Sequence, residues 1–154
     1  MNPTELKEAV AIELEAMQAV VDELVELERD LSGRAPTVRE NAAAAAFMAQ
    51  FYNGVENILT RISRYSGVAL PAGETWHVNL FQRFCSPSHP DLPALFDASL
   101  AADMAPYRRF RHVAFHGYAF QIDWDRLAGG VAGIQDVFSR FKDSVSEYLG
   151  QIVT

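Results

Sequence analysis

The chain has 154 residues, 49% of them hydrophobic and 21% charged, enough for one domain with a sizeable core and too apolar for a disordered segment. No stretch reaches the ~18 uninterrupted apolar residues of a membrane span, so a soluble chain is expected. A formal charge of −7 argues at face value against wrapping a polyanion, and a single cysteine, Cys85, excludes an intramolecular disulfide.

The opening Met-Asn-Pro-Thr leads into an acidic helix, without the basic and apolar regions of a signal peptide or the Arg-rich pattern of a transit peptide. The expected compartment is the cytoplasm. Prolines at 3, 36, 71, 87, 90, 93 and 106 leave three long proline-free blocks, 4–35, 37–70 and 107–154. Long helices belong there, because an interior proline removes an amide and clashes with the preceding turn. In the first block Val10, Leu14, Met17, Val21, Leu24, Leu27 and Leu31 recur at intervals of three and four, one apolar stripe ended by Gly33 and Pro36. The second helix opens with Thr37 and Glu40 in capping-box spacing. It carries two stripes, Phe47, Phe51, Val55, Ile58, Ile62 and Tyr65 beside Met48, Tyr52 and Leu59, the pattern of a central helix closed by Gly67 and Pro71.

Residues 72–106 are less regular, with one short helix expected over His77 to Phe84 and another over Leu92 to Met104. The last block divides at Gly117, after which Leu127, Val131, Ile134, Phe138, Phe141, Val145 and Tyr148 form another stripe, with Asp123 or Asp125 as its start. No run alternates with a period of two. The expectation is an all-α chain of one domain, an antiparallel up-and-down bundle of four main helices with extra short ones.

The charge is uneven. Residues 1–32 hold nine acidic residues against two basic ones and so carry the whole formal excess, while residues 33–154 sum to zero. The segment Tyr107 to Tyr118 is locally cationic: Tyr-Arg-Arg-Phe-Arg-His-Val-Ala-Phe-His-Gly-Tyr contains three arginines, two histidines and no carboxylate. A local, salt-sensitive grip on a short nucleic-acid stretch is therefore compatible with the acidic total.

His112 and His116 are four apart and share a helix face with Arg109. Arg111 lies five residues before His116, about 140° around an ideal helix, so the two meet only if the helix ends near Gly117, the arginine curls round, or a second subunit supplies the partner. Two histidines could bind Zn²⁺, but a site needs three or four ligands and neither Glu nor Cys accompanies the pair, so no metal is expected. The residue types suit RNA cleavage without metal. Imidazole titrates near neutrality and can take a proton from a 2′-hydroxyl or give one to a leaving 5′-oxygen. Arginine stays charged and presents a planar fork to a phosphate. The second acid–base group is His112 or a second copy of His116.

At these residues the sequence resembles the HepT-like toxins of the HEPN superfamily, whose hallmark is Arg-x4-His-x-Tyr, here Arg111, His116 and Tyr118. The preceding Arg-Arg-Phe-Arg-His and the upstream Gly73, Glu74, Trp76, His77 and Leu80, similar to a family Gly-Glu-x-Trp-His-x-x-Leu segment, extend the likeness over nearly the whole chain. The resemblance implies a HEPN four-helix bundle that dimerises so that both motifs line one cleft. It also implies a metal-independent endoribonuclease toxin without a cofactor, paired with a small nucleotidyltransferase antitoxin that transfers AMP from ATP to Tyr118. Arg111 and His116 are the expected catalytic residues, with His112 as orienter or second acid–base group and Arg108 and Arg109 as auxiliary phosphate contacts or surface charge. Trp76 and His77 are expected to pack and hydrogen-bond at a helix start. Position 112 is often Asn or Asp in HEPN proteins, and position 115, often basic, is Phe115 here. A second reading is a non-catalytic helical partner of a nucleotidyltransferase that binds nucleotide at the Arg-His cluster. A third is a dimeric helical scaffold whose basic cluster is only surface.

Overall fold

The computed structural model of the chain describes residues 1–116 and 122–153, the side chains of 112–116 excepted. Among the described residues five helices follow in order: α1 Pro3–Leu31, α2 Val38–Tyr65, α3 Trp76–Gln82, α4 Ala98–His116 and α5 Trp124–Gln151. No strand forms among the described residues. The architecture is all-helical, as the periodicity predicts.

Each long helix begins where the sequence supplies an acceptor for its orphan amides. Asn2 and Glu5 form a reciprocal capping box on α1, and Thr37 and Glu40 form the expected one on α2. The Asp97 carboxylate accepts from the Leu100 amide at the start of α4, and Asp123 accepts from the Asp125 amide at the start of α5.

The four long helices pack in a ring, α1 on α2, α2 on α4, α4 on α5 and α5 on α1, and α2 also meets α3 and α5. The helix with two apolar stripes is thus the central one, in contact with all four others. Its stripes enter one continuous core with those of α1, α4 and α5. Gly54 lets α1 come close, since a Cβ there would run into the buried Met17 side chain. Between α3 and α4 the chain doubles back on itself. The Leu95 and Phe96 amides donate to the Phe84 carbonyl at 2.9 and 3.1 Å, and Phe84, Leu92, Leu95 and Phe96 are all buried.

One boundary differs from the pattern. A helix ending at Met104, before Pro106, is expected, yet α4 starts at Ala98 and runs through Pro106 to His116. Ala102 and Pro106, four apart, both lie on the exposed side, so the Ala102 carbonyl that loses its amide partner faces water, while Met104 and Tyr107 beside them are buried. Tyr107 also donates to the Gly130 carbonyl of α5 at 2.6 Å, which fixes this turn of α4 from outside. Tertiary packing overrides the proline.

Candidate functional site

Arg111 stands where α4 calls for an apolar side chain. Leu100, Met104 and Tyr107 succeed one another at intervals of four and three, all buried, and Arg111 follows four residues later on the same stripe. The facing helix repeats the substitution. On α2, Met48 and Tyr52 are buried four apart, and the next position four on is Glu56, buried as well. Two packed helices each bring one charged residue into an inward position.

A buried carboxylate is costly unless cations and donors meet it. The Glu56 side chain is 7% exposed, and its Oε1 lies 3.6 Å from Arg111 Nε. That Nε–H donates to Asn53 Oδ1 at 2.6 Å, so α2 holds the guanidinium through two residues of one turn. His77, the second residue of α3, closes the cluster: its Nδ1 is 2.5 Å from Glu56 Oε2. Arg111 Nη1 lies 3.1 Å from His77 Nε2 and 3.4 Å from Nδ1. The Trp76 ring sits against the imidazole at 3.5 Å between centroids and 32° between planes.

Deeper in the same interface Tyr52 is fully buried and its hydroxyl has no hydrogen-bond partner among the described residues. Burial first, and the Glu56 carboxylate second, push its phenol above the usual range, so it stays protonated. Arg108 is half-buried, its guanidinium carbon 5.6 Å from the centre of the Phe81 ring, a cation–π contact, while Arg109 is exposed. Of the two expected phosphate contacts, then, Arg109 lies open on the surface and Arg108 leans on α3.

His112 and His116 belong to α4, and their side chains, like Tyr118 as a whole, lie outside the described residues. The helix is continuous through His116, so the backbone phase between 111 and 116 is the expected one, about 140°. His77 was expected only to pack and hydrogen-bond at a helix start; it does sit at the start of α3, and it also bridges Glu56 and Arg111. Asn53 and Glu56 carry no motif. Their trace in the sequence is a carboxylate inside the apolar stripe of α2, with an amide one turn before it.

Chemically the cluster suits an anion rather than a cation. One carboxylate and one imidazole are already committed to each other and to a guanidinium, which repels metal ions. Arg111 keeps about a quarter of its side chain exposed, 26%, with its orientation fixed from two helices. A charged planar fork in that setting can meet a phosphate at the surface.

A family model described as HepT-like protein matches residues 43–152, from the second turn of α2 through α5, with α1 outside the match. No curated protein and no solved structure matches the chain.

Proposed function

The chain belongs to the HepT-like family, a family of HEPN-type toxins, and from that premise we propose that it is the toxin of a two-gene toxin–antitoxin pair, a metal-independent endoribonuclease acting as a homodimer. The observation that supports this reading best is how Arg111 is held. An arginine that served only as surface charge would be solvated, whereas this one is anchored by Asn53, His77 and Glu56 and still reaches the surface.

In the proposed reaction Arg111 binds the scissile phosphate and stabilises the charge that builds on its oxygens. His116 and a second imidazole, His112 or a second copy of His116, exchange the protons. The 2′-oxygen loses its proton and bonds to phosphorus, the bond to the 5′-oxygen breaks, and that oxygen takes a proton. The products are a 2′,3′-cyclic phosphate and a 5′-hydroxyl. Arg108 and Arg109 flank this path. A nucleotidyltransferase antitoxin joins the Tyr118 hydroxyl to the α-phosphorus of ATP and releases pyrophosphate, and the attached AMP blocks RNA by occupancy and charge.

Protein freed of AMP should cleave RNA in EDTA to fragments with cyclic phosphate ends, and Arg111→Ala and His116→Ala should each abolish that cleavage. Retained activity in both variants would sink the assignment. Intact RNA, with a nucleotidyltransferase partner that speeds up on mixing, would favour the non-catalytic reading.

A further inference from the structure

We infer that Glu56 and His77 are positioning residues for Arg111: Glu56 fixes the ring orientation of His77 through Nδ1, and the imidazole in turn seats the guanidinium. The inference deepens the reading of Arg111 as the phosphate-binding group and depends on it for its functional consequence.

The hydrogen positions follow from chemistry. An ionised carboxylate only accepts, so the proton between Glu56 Oε2 and His77 Nδ1, 2.5 Å apart, belongs to the ring nitrogen. In the neutral ring Nε2 then carries the lone pair, and it is the nitrogen closer to Arg111 Nη1, at 3.1 Å against 3.4 Å. Nη1 is thus within hydrogen-bond reach of Nε2, and the imidazole gives the guanidinium a fixed neighbour on α3. The Trp76 ring, 3.5 Å from the imidazole centre, limits its rotation.

The charged groups that meet His77 among the described residues are Glu56 from α2 and Arg111 from α4; α3 itself carries no acid or base other than His77. The three residues form one unit, in which Glu56 holds His77 at Nδ1 and His77 seats Arg111. Asn53 and Glu56 hold the guanidinium at Nε, and the imidazole meets it at Nη1, so α2 and α3 contact different nitrogens of the same group.

The test has two arms. In the first, nitrogen-15 spectra of the wild-type protein at pH 7.5 should show a proton on His77 Nδ1 and a resolved Arg111 Nε–H signal, identified by its loss in Arg111→Lys. That arginine signal should collapse into the bulk arginine peak in His77→Ala. An Nε2–H tautomer for His77, or an unchanged Arg111 signal in His77→Ala, overturns the proposal whether or not the protein cleaves RNA. In the second arm His77→Ala lowers kcat for RNA cleavage on the order of 100-fold, as expected when a binding group is misplaced, with KM changed by less than about threefold. His77→Gln, whose planar amide can both donate to Glu56 and carry the guanidinium, should restore kcat to within about tenfold of wild type. Equal loss in both variants, with both folded by circular dichroism, would make His77 a proton-transfer group instead and overturn the positioning role. Wild-type protein that leaves RNA intact while the first arm holds would count against the endoribonuclease reading alone.

Discussion

Arg140 and Arg111 are both paired with acids, and those acids lie at opposite extremes of burial. Arg140 on α5 donates to Asp103 at 2.5 Å and Asp136 at 3.0 Å; its side chain is 32% exposed and the two aspartates 52% and 73%. Arg111 is hardly less exposed, at 26%, but its acid Glu56 is at 7%. The arginines differ little. What separates the two sites is the depth of the carboxylate, and that depth decides how much structure must be committed to satisfy it. Around Arg140 water does most of the solvation; around Glu56 an imidazole from α3 and a guanidinium from α4 do it.

The largest way to break the contrast is Glu56→Ala. It leaves Arg111 and His77 without their anion in a partly desolvated interface, and unfolding in urea should show a loss of about 3 kcal/mol, the lower end for breaking a buried pair. A loss under about 1 kcal/mol would mean that water reaches Glu56 and the contrast is false. A smaller effect is expected at Arg34 and Glu40, an exposed pair at the entry to α2. The hydrogen bonds from Arg34 first, and the Thr37 amide second, hold the Glu40 carboxyl down at about 2 from an ordinary 4.5. Because the folded value is the lower one, its contribution is present above pH 4.5 and is lost as the pH falls toward 2. Tm followed over that range should drop less in Arg34→Ala than in wild type. The smallest effect belongs to Asp103→Asn, which should leave the urea midpoint unchanged within error, since exposed pairs contribute little and are screened.

The stripes that build the bundle are legible because helical periodicity is a local property of the sequence. Val10 to Leu31, Phe47 to Tyr65 and Leu127 to Tyr148 each declare their helix and its inward face, and Thr37 with Glu40 marks the start of α2 within four residues. Pro106 misleads because its cost is local and what offsets it is not: the Tyr107 hydroxyl finds the Gly130 carbonyl 23 residues on. The site divides the same way. Arg111 is visible through its spacing to His116 and Tyr118. Its anchors stand 58 and 34 residues away, at Asn53 and His77, and only the fold brings them together. Glu56 left one readable sign, a carboxylate in an apolar stripe four residues after Tyr52.

Trp76 gives this arrangement an optical consequence. It is one of two tryptophans, and its indole lies 3.5 Å from the ring on which Arg111 rests. The emission of an indole depends on what its ring touches, so Trp76 reports the surroundings of His77 directly. With Trp124→Phe, Trp76 becomes the sole emitter. A phosphate that binds the seated Arg111 beside that ring would then be read as a change in brightness, without label or turnover.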